Sequence, residues 1–396
     1  LSNCEASSGG ETARWWPAEV YFDKAPQPSK SFVCGEHDFR DWCIGSSQFL
    51  PPQARLASLT GDDDDLLLAL ETARGFLGGY ERRRGSTAPM FAEDGKFYGH
   101  FHGAVSGLDG LLQLAKLLHA KGRNLSMASK WIELAAQVHR WIFAGQSNVN
   151  RASSCGCFPE SSADTPHPTS ELCCAADMIE FSIHLAECAS LSPRWSHLAD
   201  LWDDIERFLR NEVLKTQTKD MERIAKLAMR APAMPSEKAL EILRLQKGLW
   251  ISGRAYLHDI AHFERTANLR NESWIKESGL DFGDKTLTPV LRGGGCCAYS
   301  GVRALHAVWR NAAVSLNGCV EIRIPTAYDD AQLSVSQLPD FSGLRVSARA
   351  SGRVRVRIPC YAEKPTLEFA KGCSSEWQDG KRWLALEMPA GTEAIL

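Results

Sequence analysis

No stretch of this chain approaches the run of about eighteen apolar residues that a membrane-crossing helix needs, so nothing in it reads as a span. Nor is there an excess of positive charge. The 45 Lys and Arg stand against 48 Asp and Glu, a formal net charge of −3, and no basic field is present to hold nucleic acid. The first forty residues do not run from basic to apolar to small, as a secretory leader would. The chain starts at Leu1 rather than Met, which reads as a trimmed or processed start and gives no address; the expectation is a soluble protein of unknown compartment, with the cytoplasm favoured slightly over secretion. Short-period repeats, low-complexity tracts, a CxxC…CxxC pair and an HExxH helix are all missing. Asn124-Leu-Ser and Asn271-Glu-Ser match the glycosylation sequon, a triplet common by chance. No residue pattern bears on oligomeric state.

Cysteine is neither scarce nor dense. Thirteen in 396 residues is an odd number, too dilute for a disulfide scaffold and high for a plain cytosolic enzyme. Two pairs are adjacent: Cys173-Cys174 in "TSELCCAADMIEF" and Cys296-Cys297 in "RGGGCCAYSG". Neighbouring cysteines rarely bond to each other, because the intervening peptide strains the bridge. Each pair is either a set of buried apolar thiols or a gathering of thiolates around a metal. Taken together, and with Glu171 two residues before Cys173, they favour metal.

Length suggests two or three domains. Residues 1 to about 55 read as an irregular segment rich in Gly, Ser, Pro and Trp, packing on a helical barrel. From Asp62, "DDDDLLLALETARGFLGGYERRR" places acids before an apolar run and bases after it, as the helix dipole favours. "AVSGLDGLLQLAKLLHAKG" sets Val105, Leu108, Leu111, Leu112, Ala115 and Leu118 on one stripe, with Gly122 as a stop. "SKWIELAAQVHRWIF" repeats the period, with Trp141 read as core, as is Trp309 later. Further helical runs fall at 173–189, 197–215, 220–229, 236–247, 252–265 and 299–314. After Ser315 the period changes to two. "CVEIRIP", "AQLSVSQ", "GLRVSARAS", "RVRVRIP", "TLEFA" and "RWLALEMP" read as short antiparallel strands. The pattern is mainly α: a helical barrel over 56–314 followed by an antiparallel β-sandwich over 315–396.

The chemistry concentrates at the cysteines. Glu171 and Cys173 lie near a helix start marked by Pro168, Thr169 and Ser170, where the helix field favours a carboxylate and a thiolate. Three glycines before Cys296-Cys297 let the backbone deliver two adjacent side chains to one point. One carboxylate oxygen and three sulfurs suit tetrahedral Zn2+, giving the candidate set Glu171, Cys173, Cys296 and Cys297. Cys174, one residue on, should point elsewhere as a buried thiol. His100 and His102 in "YGHFHG" precede a helix and offer sugar-binding donors, with Tyr98 or Phe101 for stacking; His167 is a weaker candidate. A zinc role for this HxH ranks below sugar binding. Asp203-Asp204 and Glu206-Arg207 read as ion-paired helix-face residues.

Taken in order, "SELCCAADMIEFSIHLAE", "LWDDIERFLRNEVLKTQ", "GGGCCAYSGVRALHAVWRNA" and "GRVRVRIPCYAEKPTLEFAKG" resemble the β-L-arabinofuranosidase-like glycoside hydrolases, family 127 and its relatives. "YGHFHGAVSGLDGLLQLAKL" is also similar to a helix of that family's barrel. The resemblance spans most of residues 60 to 375 and is most specific at the E-x-C and CC elements. It implies an (α/α)6 barrel followed by β-sandwich domains. It also implies zinc held by Glu171, Cys173, Cys296 and Cys297, with Cys296 as nucleophile. A thiolate is intrinsically nucleophilic, and attack followed by water gives net retention. The family's proton donor is a glutamate upstream of E-x-C; Glu160 in "CGCFPESSADTPHP" is the candidate here, ahead of Asp164, against the plain reading of a solvated loop glutamate. Cys155 and Cys157 form a CxC with no place in that pattern. The expected function is a zinc-dependent retaining glycoside hydrolase releasing a terminal, β-L-arabinofuranoside-like sugar. The expected partner is a carbohydrate substrate, with neither nucleic acid nor membrane. Two alternatives stand beside it: a barrel-fold sugar epimerase or polysaccharide lyase, and a non-enzymatic carbohydrate-binding protein with a structural zinc.

Overall fold

From Arg40 on, helices come before strands, in the order that the hydrophobic periods predict. The computed structural model describes residues 40–84, 91–97, 101–144, 172–214, 296–316, 318–339, 342–362, 366–378 and 382–396, together with 5–6, 14–15 and residues 156, 158, 217, 222 and 247. They divide into two units, Leu1–Ala304 and Leu305–Leu396. The helical runs expected at 220–229, 236–247 and 252–265 lie outside the described residues, single positions apart.

The first unit opens with a short antiparallel pair, β1 (Glu5–Ala6) and β2 (Arg14–Trp15). Then follow α1 (Arg40–Thr60), α2 (Asp63–Arg84), α3 (Phe101–Lys121), α4 (Leu125–Phe143) and α5 (Leu172–Glu187). Two 3-10 turns, Cys188–Leu191 and Pro193–Leu201, lead to α6 (Trp202–Phe208), which runs on through a π turn at Leu209–Val213. The last helix, α7, is Cys296–Ala312. None of the helices among the described residues is long and apolar enough to cross a membrane.

α1 corrects the expectation of an irregular start up to residue 55. Pro51 and Pro52 sit inside it, and prolines there ordinarily break a helix. Packing outweighs that local cost: Leu50, Ala54 and Ala57 are buried against α3, where Gly110 lets the helices approach. A Cβ on Gly110 would come within 2.9 Å of the Pro51 nitrogen. The predicted stop of α3 holds. Gly122 takes the left-handed conformation (φ 62°), its N–H donates to His119, and Arg123 N–H donates to Leu118.

α3 and α5 are buried on nearly all sides. On α3 the predicted stripe of Val105, Leu108, Leu111, Leu112, Ala115 and Leu118 is wholly inside, and on α5 almost every residue from Leu172 to Ala186 is. Helices apolar all round belong at the centre of a bundle. α1, α4 and α5 all pack on α3. A chain of rings, Phe76, Phe91, Phe97, Phe101, Phe158 and Phe208, links the ends of these helices at centroid spacings of 4.9–5.8 Å.

The second unit is a β-sandwich. Five strands form the order β10 (Ser374–Gln378), β11 (Trp383–Met388), β8 (Gly352–Arg357), β4 (Cys319–Ile322), β3 (Ala313–Leu316). Five more form β5 (Tyr328–Asp329), β6 (Leu333–Gln337), β7 (Leu344–Ala348), β12 (Glu393–Ile395), β9 (Glu368–Phe369). All pairings are antiparallel except β4 with β8. The inner faces meet in one cluster, with Val320, Val354, Val356, Leu384 and Leu386 from the first sheet and Leu333, Val335, Val346 and Ala394 from the second. The alternate arginines of β8 face the other way, where Arg355 pairs with Glu321 at 2.9 Å and stacks on Trp383. Trp309, expected in a core, is 73 % exposed on α7.

His139 on α4 is buried against Phe143 and Phe181. Burial, with Arg207 and Arg140 nearby, lowers its pKa to about 3. The native ring therefore stays neutral while an unfolded one takes up a proton below pH 6.5. This stability is present above that value and is lost as pH falls, by up to about 1.4 kcal/mol per pH unit. Urea midpoints of His139→Phe should fall less steeply than wild type between about pH 6 and pH 4; an unchanged slope would contradict the neutral burial.

Candidate functional site

Three helices of the first unit, and the part of α7 that belongs to it, line a shared cavity of about 360 Å3. α1 supplies Gln48, Pro51, Pro52 and Arg55, and α3 supplies His102, Ser106 and Asp109. α5 adds Asp177 and Glu180, and α7 adds Ser300 and Arg303. Spacings of three, four and seven residues put each set on one helix face. On α3 and α5 these groups interrupt surfaces that are otherwise mostly apolar, so the cavity is where those helices meet as charged groups.

Two reciprocal pairs fix the register. The Nδ1 of His102 on α3 bonds Asp177 on α5, and the Nδ1 of His184 on α5 bonds Asp109 on α3. Both pairs join residues 75 apart in sequence. Equal steps along α3 thus match equal steps along α5 in the same direction, and the two helices run parallel. Gln48 reaches the Nε2 of His102 at 2.9 Å, and Gln113 donates to Asp109 at 2.7 Å. With Nδ1–H donating to Asp177 and Nε2 accepting from Gln48, the neutral ring satisfies both neighbours.

Arg303 closes the network. One arm of its guanidinium bonds Asp177 and the other lies 3.0 Å from Glu180. Asp177 therefore serves His102 with one oxygen and Arg303 with the other, at 1 % exposure. Burial works against the charge of Arg303, but the two acids outweigh it and hold its pKa above its already high value. Burial lifts Glu180 to about 7, with Asp109 and Asp177 adding to the rise and Arg303 opposing it. Asp109 goes the other way: burial would raise it, but the charge and hydrogen bond of His184 and the bond from Gln113 keep it below the ordinary carboxylate range. One carboxyl is poised to exchange a proton near neutrality while its neighbour stays ionised, an arrangement typical of acid–base sites.

Of the residues singled out from sequence, His102 lines this cavity and Cys173 is fully buried on the first turn of α5. Counting back along the α3–α5 register, Cys173 lies four residues, or about 6 Å, before the level of His102, at the end where α3 begins. Cys174 is also buried, as expected of the spare thiol. Cys296 and Cys297 open α7, and their side chains lie outside the described part. Glu160, Glu171, His100, His167, Cys155 and Cys157 lie outside the described residues. Asp204 pairs with Arg207 and Glu206 with Arg210, as read. Sequence reasoning passed over Asp109, Asp177, Glu180, His184 and Arg303. The signal was present: His102-x6-Asp109 and Asp177-x6-His184 are mirror-image spacings inside two apolar helices.

No family model and no curated protein matches this chain. Among solved structures it is similar to a GH127 β-L-arabinofuranosidase from Geobacillus stearothermophilus T6, at 14 % identity over 87 % of this chain and 52 % of that one, with a TM-score of 0.47. It is also similar to a D-mannose isomerase, at 13 % identity over 54 % and 50 % of the two chains with a TM-score of 0.28. An α-L-rhamnosidase from Dictyoglumus thermophilum matches at 12 % identity over 77 % and 42 %, with a TM-score of 0.21. The chain spans about half the length of these structures or less.

The Arg303 fork is testable by stability. Arg303→Ala leaves Asp177 and Glu180 buried without their cation and should cost about 3 kcal/mol, while Arg303→Lys, a point charge in place of a fork, recovers part of it. Chemical denaturation of both variants measures this; an alanine variant as stable as wild type would show that the fork does not hold α7 to α5.

Proposed function

We propose that this protein is a glycan-processing enzyme, a zinc-dependent retaining glycoside hydrolase with Cys296 as nucleophile, acting on a terminal β-L-arabinofuranoside-like sugar. Its helices would close into an (α/α)6 barrel. The observation that carries the reading is the Arg303 fork. It ties the helix that begins with Cys296-Cys297 to α5 at Asp177 and Glu180, four and seven residues beyond Cys173. Two cysteine-bearing segments more than a hundred residues apart in sequence thus belong to neighbouring helices.

The fit to the metal rests on the chemistry of the donors. Among the described residues no group of three or more His, Cys, Asp or Glu could hold an ion, and three of the four proposed ligand side chains, those of Glu171, Cys296 and Cys297, lie outside that set. The donor set itself, one carboxylate and three thiolates, fits zinc, and Cys173 is a buried thiol at a helix start, where such a ligand belongs. Bound there, zinc would hold thiols deprotonated at neutral pH.

The chain's own residues divide the remaining work. The Cys296 sulfur attacks the anomeric carbon, and a carboxyl protonates the departing oxygen. For that acid we retain Glu160. Phe158 stacks on Phe101 at 5.4 Å beside His102, and the two residues from Phe158 to Glu160 span at most about 7 Å. His100, His102 and His167 would bind the sugar.

A second reading has its own observation. The His102–Asp177 pair in a cavity with Arg303 and Glu180 is the equipment of an acid–base enzyme such as a sugar epimerase or lyase. Substituting Cys296 separates the two. Cys296→Ala and Cys296→Ser should lose aryl β-L-arabinofuranoside hydrolysis by on the order of a thousandfold or more, with the folded chain intact. Undiminished hydrolysis by the alanine variant would remove the proposal, and sugar epimerisation or polysaccharide cleavage by elimination that survives Cys296→Ala would establish the alternative.

A further inference from the structure

Arg55 on α1 lines the cavity with no acid bonded to it among the described residues. Its Nε donates to the neutral amide oxygen of Gln113 at 3.2 Å. Gln113 in turn donates to one oxygen of Asp109 at 2.7 Å, and His184 holds the other. A relay from α5 through α3 to α1 thus anchors the guanidinium at Nε. It leaves the Nη edge, with its four N–H groups, open among the described residues. An arginine anchored in this way is pre-organised for a planar carboxylate, which it takes through two parallel charge-assisted bonds. Arg55 is itself exposed, so that edge is reached from solvent.

The charges around it decide between ligands. Asp109 of α3 is matched by His184 and Gln113, and Asp177 of α5 by His102 and Arg303. Arg303 of α7 is spent on Asp177 and Glu180. The field of Arg55 favours the ionised forms of Asp109 and Glu180, yet it bonds neither. Glu180, lifted to about 7 chiefly by burial, is neutral below that value and then adds no negative charge to the wall. The ionised acids are then Asp109 and Asp177, both already bonded, and Arg55 is the charge left to satisfy. A ligand ammonium would face Arg55 and Arg303. A doubly charged anion would double the repulsion from Asp109 and Asp177 and gain the same single fork. One carboxylate matches the wall.

We propose that this cavity binds a monocarboxylate of monosaccharide size, with its carboxylate on the Nη edge of Arg55. The volume of about 360 Å3, at the lower end of small-molecule sites, sets the size. The site is separate from the thiols. Gln113 stands eleven residues, about 16 Å of helix, beyond His102 on α3, whereas Cys173 lies before the level of His102. The inference goes beyond the glycan-processing reading and rests on it only for the choice of a sugar acid as probe.

Calorimetric titration of the intact chain at about pH 6, where Glu180 is neutral, tests it with D-glucuronate, with D-glucose (the same ring without the acid) and with sulfate. D-Glucuronate should bind more tightly than either by about tenfold or more. Arg55→Ala should bring D-glucuronate down to the affinity of D-glucose, and Arg55→Lys, a point charge without the fork, should recover only part of the loss. Circular dichroism confirms that each variant is folded. No binding of D-glucuronate, equal affinity for D-glucose or sulfate, or binding that Arg55→Ala leaves unchanged each overturns the proposal. Arg55-dependent binding of D-glucuronate with no hydrolysis of an aryl β-L-arabinofuranoside leaves this proposal standing and removes the hydrolase reading. Hydrolysis without any preference for D-glucuronate does the reverse.

Discussion

A single carboxylate on α5 holds three helices together. Asp177 is almost completely inaccessible, and an ionised acid in that position is tolerated only when both oxygens are bonded. It bonds His102 of α3 with one and Arg303 of α7 with the other. Two turns further along, Asp109 and His184 repeat the α3–α5 contact with donor and acceptor exchanged. Apolar surfaces alone would let parallel helices slide by a turn at little cost. Two crossed hydrogen-bonded pairs at a common offset do not, because a slip leaves two buried carboxylates and two partly buried imidazoles unmatched at once.

That constraint gives position to the cysteines. Cys173 precedes Asp177 by one turn on α5, and Cys296-Cys297 precede Arg303 by about two turns on α7. The polar network is thus placed to set the spacing between two thiol-bearing segments that share no sequence neighbourhood. Beneath them the same network lines a cavity, so one set of residues both fixes the helices and leaves room between them.

Much of the architecture was legible because it is written as periodicity. The α3 stripe lies wholly inside, Gly122 ends that helix, and the alternating segments from Cys319 to Met388 became six strands of the sandwich. What escaped has physical causes. α1 was hidden by Pro51-Pro52, since local propensity argues against a helix that only packing on α3 sustains. β10, "SSEWQ", is exposed along most of its length and shows no alternation to read, and β5 and β12 are only two and three residues long. Trp309 was assigned to a core on hydrophobicity alone, although a helix that buries one face can leave a large ring outside. At the site, attention went to the rare side chains, the adjacent cysteines. The common ones, Asp109, Asp177 and Glu180, drew no reading, and only their placement inside two apolar helices marks them as buried partners.

The proposed zinc site requires thiols from two helices to meet at one ion. X-ray absorption at the zinc edge of the purified intact chain addresses that directly. The account predicts a shell of three sulfurs near 2.3 Å and one oxygen near 2.0 Å. A shell of nitrogen and oxygen alone, or a folded chain that retains no zinc, would contradict it.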